Sequence, residues 1–159
     1  MDFSRTVVVA GSADELWELT RDVKAVAECI PGVQDLAMTG PGEFTCLLVQ
    51  QVGSAKAKFA LRTRLETDEA TRTVTAVSSG QDRGLGSSVK ATQRFAVSPA
   101  GEGAEVAIQA EVQITGRIAT FGHRIIAAKA EQVTVEAIRN VERMVAERRA
   151  GGQPAASGE

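Results

Sequence analysis

His123 is the sole imidazole in this 159-residue chain, and tyrosine is absent. Acid–base catalysis would therefore rest on His123, a carboxylate or a lysine. His123 stands beside Arg124 on the flank of a helical stretch. It reads as a surface or boundary histidine, with proton transfer or pH sensing as the functional alternative. Cys29 and Cys46 lie far apart in sequence, and one histidine with two distant thiols offers no zinc-type ligand spacing. Cys29 precedes a proline turn in an apolar context, with nothing nearby to lower its pKa, so it reads as a buried, inert thiol. The run from Gly80 to Gly86 is glycine-rich. It lacks the GxxxxGK[ST] spacing and opens no helix, so it reads as a hairpin turn and not a phosphate cradle. Lys56, Lys58, Arg62 and Arg64 alternate along one segment, with Lys90 and Arg94 on another. Such a row either faces water or meets anionic headgroups or an acidic partner.

Composition narrows the setting. Length fits one domain, expected over residues 1–150. Hydrophobic residues make up 43% and charged residues 24%, as in ordinary globular proteins. A formal net charge of −2 is too balanced for a generic nucleic-acid binder, so no nucleic-acid partner is expected. The first residues, MDFSRTVVVAGSADE, show no basic segment followed by an apolar one, so no signal peptide is read. With unpaired cysteine contexts, this predicts a cytoplasmic protein with reduced thiols. No apolar run reaches the ~18 residues a spanning helix needs.

The elements that must position these residues are legible as periods. Phe3 to Ala10 is rich in β-branched residues and predicts a strand. Ser12-Ala13-Asp14-Glu15 has the form of a capping box and opens a helix to about Thr20, with Leu16 and Leu19 inward. A second short helix runs from about Val23 to Cys29 and puts Val23, Val26 and Ile30 on one stripe. It stops at Pro31-Gly32. Residues 33–115 predict an antiparallel meander with one dry face. Its inward rows are Ala55, Ala57, Phe59, Leu61, Thr63 and Leu65; Val89, Ala91, Gln93, Phe95 and Val97; and Val106, Ile108, Ala110, Val112 and Ile114. Phe59, Phe95, Ile108 and Ile125 are expected buried, and Lys58, Arg62, Arg94 and Glu111 exposed. From about Arg117 to Arg149 only Gly122 interrupts a helical pattern, and the apolar stripe rotates along it. The tail 151–159 is expected to be disordered. The fold class is α+β: a curved antiparallel sheet around a long C-terminal helix, with two short helices after the first strand.

That order resembles the helix-grip fold of the START and Bet v 1 superfamily. Within it, the sequence resembles the CoxG family, named for a component of carbon monoxide dehydrogenase. The resemblance is carried by Cys29-Ile30-Pro31-Gly32 within Ala27–Val33, and by Glu111–Ala119, where a last strand passes through Gly116 towards the long helix. Leu16-Trp17 and Lys56-Ala57-Lys58-Phe59 fit as well, and the match spans about residues 3–145. The resemblance implies an accessory protein of aerobic molybdenum hydroxylases of the carbon monoxide dehydrogenase type. It implies a cavity for a hydrophobic ligand, a quinone or a lipid, and peripheral contact with the inner face of the membrane. Some relatives carry a longer tail usable as an anchor; here the helix is followed by a short polar stretch.

The alanines of the inward rows either leave a cavity or let the helix approach closely. The resemblance favours the cavity. Its wall is then Phe59, Leu61, Val89, Ala91, Phe95 and Val112 from the sheet, with Ile118, Phe121 and Ile125 from the helix. Apolar walls suit a ligand that is mostly hydrocarbon or aromatic ring. Gln93 is the polar exception, and its amide requires a partner: a backbone group, Cys46, a water, or a carbonyl of a bound quinone. Three functions stay open: a non-catalytic carrier of an apolar ligand, an enzyme like the superfamily's polyketide cyclases and hydrolases, and an assembly factor without ligand. No catalytic residue, metal or covalently bound cofactor is expected.

Overall fold

The capping box forms as the sequence requires. Ser12 Oγ accepts from the Glu15 amide at 3.1 Å, and Glu15 accepts from the Ser12 amide at 2.9 Å. Strand β1 (Asp2–Val9) thus turns into α1 (Ala13–Thr20), which buries Leu16, Trp17 and Leu19. Helix α2 (Val23–Glu28) follows, with Asp22 capping its start at the Ala25 amide. Its expected stripe is half-buried; Ala25, Ala27 and Cys29 face the core instead. Small side chains suit this short helix, because it is wedged between the sheet and the long helix.

The computed structural model describes the backbone of residues 1–158 and side chains through residue 150. After α2 come β2 (Val33–Gly40), β3 (Glu43–Val52), β4 (Ala55–Asp68), β5 (Thr73–Asp82), β6 (Ser87–Ala100) and β7 (Gly103–Thr115). They form one antiparallel curved sheet in the order β1-β7-β6-β5-β4-β3-β2. A 3₁₀ segment (Arg117–Phe121) and α3 (His123–Gly158) complete the chain. The disordered tail expected over 151–159 falls on residues whose side chains lie outside the described ones. Lys58, Arg62, Arg94 and Glu111 are exposed while Phe59 and Ile108 are buried, so the expected strand phases hold. Phe95 has the expected phase but is only half-buried.

The expected helix from Arg117 is broken. Gly122 takes φ +90°, a region that glycine enters without steric cost, and the α-helix starts afresh at His123. Restarting shifts the helical phase by one residue. Ile126 is buried at 7% exposure, whereas Ile125, expected inside, is 41% exposed.

The two sheet edges differ. β1 pairs with β7 in unbroken register over all of Asp2–Val9. β2 slips register twice against β3, and Asp35 within it has φ +52°. The core separates into clusters. One joins α1, the ends of β5–β7 and Val145 of α3. Another gathers Val52, Ala55, Ala57, Phe59 and Ile118 at the opposite end. A third, around Ala27, Phe44 and Cys46, fills the α2 side.

Candidate functional site

The turn after α2 is clamped to the sheet. Gly32 has φ +88°, and a Cβ there would lie 2.2 Å from Val49 O. Its carbonyl accepts from the Val49 amide at 2.9 Å, and Gln50 Nε2 donates to Pro31 O at 2.6 Å. Asn140 Nδ2 of α3 donates to Cys29 O at 2.7 Å, which ties α2 to the long helix. Cys29 Sγ donates to Ala25 O at 3.4 Å and lies 3.9 Å from Met144 Sδ. Burial raises the pKa of this thiol and of Cys46. Both are buried thiols held neutral, in accord with an inert reading.

On this side the side chains between sheet and helix are buried. Elsewhere many of them are only half-buried. Along α3, Ile126 and Val145 are the only buried side chains among the described residues. They are about 28 Å apart at 1.5 Å rise per residue. Between them Ala130, Val133, Thr134, Ala137, Ile138 and Val141 are half-buried. The facing strands show the same asymmetry. Inner positions of β3 and β4 such as Phe44, Cys46, Ala57, Phe59 and Thr63 are buried. Val89, Ala91, Gln93 and Phe95 of β6, and Ala110, Val112 and Ile114 of β7, are half-buried. A central strand with a helix packed directly on it would be dry. Here α3 is buried at Ile126, packs on the core again from Ile138 through Val141 and Met144 to Val145, and between these passes over a half-buried floor.

The expected wall residues divide accordingly. Phe59 and Ile118 sit in the cluster at one end, with Leu61, Val89 and Phe121 packed against it. Phe121 lies over the β3–β4 turn, where a Cβ on Gly53 would meet its ring at 2.7 Å. Ala91, Gln93, Phe95 and Val112 line the open floor, Ala91 opposite Val112 and Gln93 opposite Ala110. Ile125 is not brought to the site, because the restart at Gly122 turns it outward.

Gln93 is half-buried, and no fully buried side-chain N or O atom among the described residues lacks a partner. Its amide therefore needs no protein partner. Cys46 cannot be one, because β4 and β5 intervene, about 14 Å at the usual strand spacing. A polar neighbour was missed in the sequence. Thr63 Oγ1 and Ser78 Oγ share a hydrogen bond of 2.8 Å on the inner face. Ser78 is opposite Ala91, one diagonal step from Gln93. The phase shared with Val74 and Ala76 places Ser78 inward, a signal its polarity masks. Arg5 also faces inward on β1, where it pairs with Glu131 of α3.

The floor of β4 to β7 is thus apolar with one neutral polar step formed by Thr63, Ser78 and Gln93, and the Arg5–Glu131 pair stands at its β1 edge. Among the described residues, no group of three or more His, Cys, Asp or Glu could hold a metal ion. His123 is exposed at the start of α3, beyond the floor. Also among the described residues, no helix is long and apolar enough to cross a membrane.

Comparison with known proteins agrees with this architecture. A conserved protein from Geobacillus kaustophilus superposes with a TM-score of 0.84 at 16% identity, over 93% of this chain and 97% of that one. A START superfamily protein from Mycobacterium smegmatis gives 0.69 at 15% identity, over 92% and 97%. The ZhuI aromatase/cyclase from Streptomyces sp. R1128 gives 0.68 at 17% identity, over 93% and 94%. At such identities these likenesses establish the START/Bet v 1-like helix-grip fold. No curated protein matches the sequence. The family model of CoxG, the G component of carbon monoxide dehydrogenase, matches residues 6–146, and the chain belongs to that family.

Proposed function

We propose that this protein is a non-catalytic carrier of a hydrophobic ligand, a quinone or a lipid, serving a molybdenum hydroxylase of the carbon monoxide dehydrogenase type. One observation carries the reading: the first half of α3 passes over an inner floor of β6 and β7 that the protein itself covers only in part. Such a floor exposes apolar area to water unless a ligand takes its place. The cyclase among the structural neighbours shares the fold, but fold alone does not transfer chemistry. This floor carries hydroxyls and an amide; the carboxylate beside it, Glu131, is engaged by Arg5. The family membership supports the enzyme partner.

Organic-solvent extraction of the purified protein, followed by mass spectrometry, tests the reading directly. A co-purifying quinone or lipid at near-stoichiometric amount is the expected result. Protein that is empty and takes up no added quinone overturns it. Gln93→Leu then tests the polar step. Quinone affinity should fall by about 0.5–1.5 kcal/mol, the net worth of one hydrogen bond, while a hydrocarbon of similar size binds as before. Equal losses for both ligands would remove Gln93 from the site.

A further inference from the structure

Arg5 is out of keeping with the face it occupies. β1 turns Phe3, Arg5, Val7 and Val9 inward and leaves Ser4, Thr6 and Val8 in water. Val7 and Val9 join the core cluster at the α1 end. Arg5 stands opposite Ile108, which is buried. Among the described residues, Arg5 is the one cation on the inward rows of β1 and of β3 to β7. An arginine so placed covers apolar surface with its stem and carries its guanidinium to the rim. Across the sheet its line runs through Ile108 to Phe95, and the next inward line runs from Phe3 through Ala110 to Gln93. Phe95, Ala110 and Gln93 belong to the half-buried floor. That floor therefore begins within two strands of Arg5, about 10 Å.

The counter-ion of Arg5 is Glu131 of α3. This pair is not what holds the helix to the sheet. Glu142 accepts from the Ala10 amide at 2.9 Å, and Arg149 pairs with Glu15 further along. The Glu131 side chain is 65% exposed and that of Arg5 is 38% exposed. Exposed pairs contribute little to stability, so this one exchanges at small cost. Glu131 is free to withdraw into water, while the strand keeps Arg5 at the edge of the floor.

We propose that Arg5 is the head-group site of the carrier, and that its ligand is a hydrocarbon chain ending in an oxyanion that takes the place of Glu131. The guanidinium offers two parallel N–H donors, the fork that a carboxylate or a phosphate accepts. At the rim the anion keeps part of its hydration, which spares most of the cost of burying a charge. The chain then covers the apolar floor of β6 and β7. This assignment rests on the carrier reading above and names the class of lipid within it. A quinone, being neutral, would not use Arg5.

Displacement of Nile red, a neutral apolar dye, from the delipidated protein is the test. The competitors are hexadecanoate, its methyl ester and the lysophosphatidate with the same chain. At least one of the two anions should bind about tenfold more tightly than the ester, the worth of a charged hydrogen bond. Which anion it is separates a fatty acid from a phosphate-headed lipid. Arg5→Gln should erase that preference and leave the ester unchanged, and Arg5→Lys should keep part of it. Glu131→Gln should raise anion affinity by about two- to fivefold, because the competing carboxylate is gone. Thermal melts establish that each variant is folded. Equal binding of all three competitors overturns the proposal and leaves the carrier reading standing. Equal losses of anion and ester in Arg5→Gln overturn it too, as does a fall in anion affinity in Glu131→Gln, since the pair would then be structural. A protein that takes up neither the dye nor any competitor overturns both readings.

Discussion

Gly32 concentrates the most constraint in one residue. Its φ of +88° and the 2.2 Å approach of a Cβ to Val49 O leave no room for a side chain. Gly32→Val should cost at least about 2 kcal/mol, combining backbone strain with displacement of β3. For a chain of this size that lowers the melting temperature by about 4–8 °C. Ligand affinity per folded molecule should stay unchanged, since the turn sits on the filled side, beneath α2. An unchanged melting temperature with lost binding would move the turn into the site. At this scale the sequence is uneven evidence. Pro31-Gly32 announces a turn by its chemistry. Asp82 does not announce its burial, because Gln81-Asp82-Arg83 reads as a solvated hairpin tip. Its role comes from backbone amides of Lys58 and Leu85, which no pattern of side chains reveals.

Among the elements, strands were legible and the long helix only in part. Alternation has a period of two, so a few large residues such as Phe59 and Ile108 fix the phase of a whole strand. A helix lacks that rigidity of phase once a glycine interrupts it. Gly122 is compatible with a continuous helix and with a restart, and only its φ of +90° in the folded chain decides. The consequence is measurable. Ile126→Ala should destabilise by about 2–4 kcal/mol, as for a buried isoleucine, whereas Ile125→Ala should stay within about 0.5 kcal/mol. Denaturant midpoints of the two variants check this, and the reverse order would restore the uninterrupted helix. The half-covered floor was not legible for a related reason. An apolar inward row reads the same whether a helix packs on it or stands away from it. Ala91 and Ala110 permit both, and the choice depends on where α3 is pinned.

For the molecule as a whole, three carboxylates make stability depend on acid. Glu15 is held down from its ordinary 4.5 to about 2, first by Arg149 and then by the Ser12 amide. Asp22 is lowered by Arg148 and the Ala25 amide, and Asp82 by the amides of Lys58 and Leu85. Unfolded, these groups take up protons at higher pH than they do folded, so acid favours the unfolded chain. Stability from these groups should be full above the ordinary carboxylate range and fall as pH drops through about 4.5 towards 2. The buried thiols act at the other limit. Their raised pKa values mean that stability falls as pH rises past the ordinary thiol value of 9.0. Melting temperature against pH checks both slopes, and Glu15→Gln should be less stable at neutral pH with a shallower acid slope. An acid slope unaffected by Glu15→Gln would mean that the α1–α3 junction does not set it. The unlike sheet edges carry a last consequence, for self-association. A second copy would find a regular ladder along β1, whose register is unbroken and where Val8 is 64% exposed. The slipped and kinked β2 offers no matching ladder. Edge-to-edge pairing along β1 would consume the regular edge of both copies at once and so stop at a pair.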